Sequence, residues 1–217
     1  MRPVDHVLRV FTDEENRFGN FLGAFLDAAG WSDEVCQSRA SALGFSETVF
    51  IDDVLSGRLR IFTPSVKLPF AGHPTVGAAW LIDHLGHEVH SLQCDAGRVH
   101  CVATREGATI LGDPAWSPAI DLTQVVSPEV VDDYRPWEGS HEYVWAWIDE
   151  ASGLVRARAF VDEIGVAEDE ATGSAAMLLA HHLGRAVRIR QGMGSRLAVG
   201  PTHTGKVALS GNVALDR

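Results

Sequence analysis

The chain is poor in cysteine, with only Cys36, Cys94 and Cys101 among 217 residues. An odd number at these spacings offers no disulfide framework, which points to a reducing, cytoplasmic setting. Basic residues are also scarce. Eighteen Lys and Arg stand against 29 Asp and Glu, a formal net charge of -11. Nucleic acids and anionic membranes are recognised by clustered Lys and Arg, so this balance argues against both as partners. No run reaches the roughly 20 apolar residues of a membrane span. The opening "MRPVDHVLRVF" has neither the apolar stretch nor the cleavage site of a secretory signal. No Gly-x-Gly-x-x-Gly follows a strand pattern, so no nucleotide cofactor is expected. His84, His87 and His90 do not make a metal site, because Gly86 interrupts them and helical periodicity would not keep all three on one face. Small molecules or proteins remain as partners.

What is present is an ordinary globular mixture, 46% hydrophobic and 22% charged, enough for one large domain or two small ones. Segments 5–11, 46–52, 58–62, 99–104, 108–112, 141–149, 155–160 and 206–211 are rich in β-branched and aromatic residues and read as strands. Three segments read as helices, "NFLGAFLDAAG" (20–30), "TVGAAWLIDHLG" (75–86) and "SAAMLLAHHLG" (174–184). The stretch 113–140 reads as a connection with one short helix.

Two of these regions echo one another. "RIFTPSVKLPFAGHPTVGAAWLIDHLG" begins with Arg60-Ile61-Phe62, and "RAFVDEIGVAEDEATGSAAMLLAHHLG" with Arg158-Ala159-Phe160. With one deletion in the loop, the Arg-x-Phe, Ala-Ala and His-Leu-Gly elements align, which suggests a duplicated strand–loop–helix unit. Chance likeness of two ordinary units is the competing reading. Duplication predicts an α+β fold of two pseudo-symmetric halves with a cleft between them, both helix starts facing that cleft. Helix N-termini carry free N–H groups and partial positive charge, which suit a carboxylate. Gly72 on one side and Gly173-Ser174 on the other permit close approach.

His73, Asp169 and Glu47 are the candidate chemical groups, and each has a plain alternative. A histidine at a helix start is often structural, an acidic residue there is often a cap, and a strand-edge glutamate often faces solvent. Their shared placement beside the junctions of a two-fold scaffold favours a common site.

The motifs "GFSETVF", "FTPSVKLPFAGHPTVGAA" and "GVAEDEATGSAA" resemble the PhzF-like phenazine-biosynthesis family of the diaminopimelate-epimerase-like superfamily. "VFTDEENRFGNFLGAF" is similar to that family's opening segment, with Gly19-Asn20 in place and Phe21 where proline is usual. "RQGMGSRLAV" resembles its late Gln-Gly…Arg segment. The resemblance implies two halves, each a mostly antiparallel sheet around a central helix, usually assembled as a homodimer. Residues 1–115, completed by a C-terminal strand at about 211–217, would form the first half, and 116–210 a shortened second half. It also implies cofactor-free isomerisation by proton transfer on a small carboxylate-bearing substrate. Glu47, His73 and Asp169 then match catalytic positions, and Gly72, Gly173, Ser174 and Asn20 substrate-binding ones. Racemases of this fold use two opposed thiols at the helix junctions. Here those junctions read Ala71-Gly72-His73 and Ala171-Thr172-Gly173, so two-thiol chemistry is not expected. Lys67, Glu170 and Ala171 depart from the family's usual Glu, Pro and Val. The shortened second half leaves open a rival reading, a non-catalytic carboxylate-binding or dimeric interaction protein.

Overall fold

The computed structural model describes residues 3–161 and 166–216. An antiparallel hairpin, β1 (His6–Thr12) and β2 (Asn20–Phe25), opens the chain. Helix α1 (Asp33–Leu43) is capped by the Ser32 hydroxyl, which accepts from the Val35 N–H, and ends at Gly44 with φ 69°. β3 (Glu47–Asp53) runs parallel to β2 and antiparallel to β4 (Arg58–Phe62), on which the short β5 (Lys67–Leu68) folds back. After α2 (Gly72–His84), three antiparallel strands follow, β6 (Ser91–Cys94), β7 (Gly97–Ala103) and β8 (Gly107–Gly112).

A 3₁₀ turn at Pro114–Trp116 leads into β9 (Asp121–Gln124), α3 (Pro128–Asp133), β10 (His141–Asp149) and β11 (Leu154–Val161). Then come β12 (Val166–Asp169), α4 (Gly173–Leu183), β13 (Val187–Gln191), β14 (Ser195–Pro201) and β15 (Val207–Leu215).

Strands β1, β2, β3, β4, β6, β7, β8 and β15 neighbour one another in that order, and β15 returns to pair with β1. They therefore close into a ring. Helix α2 packs against β1, β2, β3, β6, β7, β8 and β15. It is buried from Gly72 through Ile82, as befits a helix apolar on every side. From β15 the sheet continues through β14, β13, β11 and β10 to β9, and among the described residues no pairing brings it back. Helix α4 lies against β14, β15, α2 and the 3₁₀ turn. One main core runs through both regions, from Leu8 and Ile110 to Tyr143 and Ile189. Two satellite cores sit outside it, Phe25, Phe50 and Phe62 with α1, and Val144 and Phe160 with α3.

The expected helix at 20–30 is a correction. Residues 20–25 are β2, held between β1 and β3, and nearly every one of its side chains is buried. Burial on both faces erases the alternation that marks a strand, so the apolar run resembles helix spacing. The helix of this region is α1, which begins eight residues after the end of β2 and in which only Cys36 and Ala40 are buried. All three cysteines are free and buried. Among the described residues, no helix is long and apolar enough to cross a membrane.

Candidate active site

The two helix starts meet. Ala71 and Thr172 precede α2 and α4 in extended conformation, and neither side chain caps its helix. The first-turn N–H groups are thus left for other partners. A Cβ added at Gly72 would lie 2.8 Å from the Cα and carbonyl carbon of Gly173, so the junctions come together only because both are glycine.

Around that contact sit the ionisable groups. Glu47 opens β3, His73 is the second residue of α2, and Asp169 ends β12. His73 Nδ1 stands 3.4 Å from Glu47 Oε2, with His73 2% and Glu47 14% exposed at the side chain. Asn20, the first residue of β2, donates from Nδ2 to Asp169 Oδ1 at 2.5 Å, and the Thr172 hydroxyl donates to Oδ2 at 2.6 Å. Gln191 extends this support, donating to the Asp169 carbonyl at 3.0 Å and to Thr172 Oγ1 at 2.9 Å, while accepting from the buried Tyr143 hydroxyl. Asp169 is thereby fixed, whereas Glu47 Oε2 and His73 Nε2 are buried with no hydrogen-bond partner among the described residues.

Burial sets the charges. Loss of solvation pushes Glu47 up to about 7, against a hydrogen bond from Ser46 that pulls it down. Asp169 is raised to about 6 by burial and by the Glu47 charge, opposed by His73, Thr172 and Asn20. Burial lowers His73 to about 4, although Asp169 and the Phe21 backbone act the other way. Near neutral pH the imidazole is uncharged, and burial brings both carboxyl groups close to the neutral range.

A cavity of about 90 Å³ opens onto this cluster, lined by Glu47, Asp169, Ser174, His141, Phe70 and Val161 among others. His73, Gly72, Gly173 and Asn20 do not line it: His73 stands against Glu47, Asn20 holds Asp169, and the glycines form the helix contact. A larger hollow of about 410 Å³, among Arg188, Arg190 and Arg196, includes none of the acid/base candidates.

Thr172, Gln191, Tyr143 and His141 were not foreseen. Gln191 lies in the "RQGMGSRLAV" segment, a signal that was available, whereas His141 and Tyr143 reach the site only through strand register. The departures from family pattern acquire partners. Lys67 pairs with Asp33 at 3.1 Å and Asp95 at 2.7 Å. Glu170 accepts from the Met193 N–H and from the Ser195 hydroxyl at 2.7 Å, and Ser195 Oγ in turn accepts from the Gly19 N–H at 3.0 Å. That chain of bonds ties the β13–β14 turn to the β1–β2 loop.

A family model described as phenazine biosynthesis-like protein, PhzC-PhzF, matches residues 8–132. The chain belongs to this family. A relative named an uncharacterized isomerase, from Pasteurella multocida, is 35% identical over 136 residues, covering 60% of this chain and 44% of the relative. Trans-2,3-dihydro-3-hydroxyanthranilate isomerase of Pseudomonas fluorescens is 27% identical over 219 residues, covering 80% of this chain and 77% of that one. The chain thus spans less than half the length of the first relative and about three quarters of the second. A solved structure of a predicted epimerase from Pseudomonas aeruginosa aligns with a TM-score of 0.75 at 26% identity, over 98% of this chain and 96% of that one. The PhzC-PhzF match ends inside α3, so Glu47 and His73 lie within it and Asp169 beyond it.

Proposed function

We propose that this family member is an isomerase that moves a proton within a small carboxylate-bearing metabolite, with Glu47 as the base and no metal or organic cofactor. The observation that carries the reading is a carboxyl group with a pKa raised to about 7, on the wall of a cavity beside two abutting helix starts. A carboxylate of that basicity can take a proton from one carbon and return it to another at neutral pH. The electrons of the broken C–H bond pass into the substrate's conjugated system, and the proton returns from Glu47 where the new C–H bond forms, so the step is neutral overall. Neutral His73, 3.4 Å behind, supports Glu47 in either protonation state. Asp169, held by Asn20 and Thr172, orients a substrate amine or hydroxyl. The Ser174 N–H at the start of α4, on the cavity wall, takes the substrate carboxylate. In this reading the closed ring around α2 and the open sheet beside α4 are the two pseudo-symmetric halves. Names borne by relatives, isomerase and epimerase, support the reaction class.

A rival reading, a carboxylate-binding protein without turnover, is favoured by the six-residue α3, which leaves the second region thinly covered. Solvent deuterium separates the two. Trans-2,3-dihydro-3-hydroxyanthranilate and related cyclic carboxylates are incubated with the protein in D₂O, and incorporation is followed by mass spectrometry. The isomerase reading expects incorporation that falls about 10²- to 10⁴-fold in Glu47→Gln while affinity persists. Binding without any exchange supports the rival, and exchange surviving in Glu47→Gln moves the base to Asp169.

A further inference from the structure

The cavity has a charge problem. Glu47 and Asp169 both line it, and a carboxylate-bearing substrate brings a third acidic group into the same space. Helix N-termini offset part of that, at roughly half a unit charge each. Among its described lining residues there is no lysine or arginine. His73 does not fill the gap, since it stands behind Glu47, is 2% exposed and is held neutral by burial. Among those described lining residues, the one side chain that can offer a ring N–H to an anion is His141.

Its position has a structural logic. In the first region Thr48 pairs with Phe62 and Phe50 with Arg60, and Glu47 directly precedes Thr48. In the second, Glu142 pairs with Phe160 and Val144 with Arg158, and His141 directly precedes Glu142. The two Arg-x-Phe strands thus face equivalent partners. By strand register, His141 occupies in β10 the place that Glu47 occupies in β3. Both open their strands at the same cavity, one from the closed ring and one from the open sheet.

We propose that His141 contacts the substrate and holds its carboxylate from the open-sheet wall of the cavity, making the site selective for anions. The carboxylate then has the Ser174 junction on one side and an imidazole N–H on the other, leaving Glu47 to face carbon. This inference rests on the carboxylate-substrate reading above, and it assigns His141 to binding and not to proton transfer.

The test measures affinity for two matched pairs, benzoate against benzamide and 3-hydroxyanthranilate against its amide, in the wild type, His141→Gln and His141→Lys. Carboxylates should bind the wild type about tenfold or more tightly than the amides, the size of one hydrogen bond to a charged group. His141→Gln should bring the ratio close to one while the protein still unfolds cooperatively, and His141→Lys should restore it. With any substrate that turns over, His141→Gln should raise KM about tenfold and leave kcat within about threefold. A carboxylate preference that survives in His141→Gln, or no saturable carboxylate binding to the wild type, overturns the proposal. The deuterium experiment reports separately. Exchange that depends on Glu47 while His141→Gln keeps its preference removes only this inference. A His141-dependent preference without exchange removes only the isomerase reading.

Discussion

The two regions of the molecule are built on similar strand–loop–helix units and end differently. In the first, Arg60 on β4 bonds the Ala28 and Trp31 carbonyls and pairs with Asp33 and Asp52. In the second, Arg158 on β11 bonds the Val131, Asp132 and Tyr134 carbonyls and pairs with Glu168. Each arginine pins the chain beside an outer helix. Phe62 and Phe160, two residues on, fill the satellite cores beneath those helices. Yet α1 has 11 residues and α3 has six, and the first run of strands closes while the second, among the described residues, stays open. The first region surrounds its helix with its own strands. The second shares β15 with the first, rests α4 on α2, and carries Asp169 to a site whose other carboxylate belongs to the ring.

If the closed ring is the firmer half, the satellite cores should differ. Phe62→Ala is expected to cost about 4 to 5 kcal/mol by denaturant unfolding, and Phe160→Ala nearer to 3, within the usual range for a buried phenylalanine. Equal costs would erase the contrast. Next in size is the contact that joins the regions. Gly72→Ala places a methyl 2.8 Å from the Gly173 backbone, which cannot swing aside, and 2.9 Å from Leu209 Cδ2. It should cost about 1 to 3 kcal/mol and lower turnover. Gly30→Ala, where an added Cβ meets nothing within 4 Å, is the control and should leave both unchanged.

A further effect should appear in the pH dependence of stability. Glu47 rises to about 7 in the fold from an ordinary 4.5, so between these values the folded protein holds a proton that the unfolded chain has released. Its contribution is full below about 4.5 and is lost as pH rises through about 7. Glu47→Gln should therefore be more stable than the wild type at pH 8, by roughly 3 kcal/mol, with the gain vanishing below pH 4.5. Asp169 acts in the same direction. His73, lowered to about 4, acts in the opposite one, its contribution being lost as pH falls through that value.

Much of this arrangement was legible in the amino-acid order. The helices expected from Thr75 and Ser174 begin at Gly72 and Gly173, and the stop signals are seen in Gly86 at φ 87° and Gly184 at φ 64°. The strand at 141–149 has the expected bounds, and 58–62 likewise. Their alternation or β-branched content is local, so it survives without knowledge of neighbours. β2 was misread because both its faces are buried. α1 was missed because its burial is shallow, although Ser32, Asp33 and Glu34 form a helix-start signal. β13 carries a clear alternation in "VRIRQ" that went unread. Glu47, His73 and Asp169 were reached through junctions and resemblance. His141 could not be, since its equivalence to Glu47 exists only once β10 is paired with β11.

The central claim is that Glu47 is a buried base that keeps its proton into the neutral range. Carbon-13 labelling of the glutamate carboxyl groups, with Glu47→Gln to assign the signal, lets that one group be titrated by NMR in the intact protein. A midpoint near 7 is expected for Glu47. A midpoint at the ordinary 4.5 would contradict it, because a carboxylate already ionised and well solvated there has neither the burial nor the basicity that the proposed proton transfer requires.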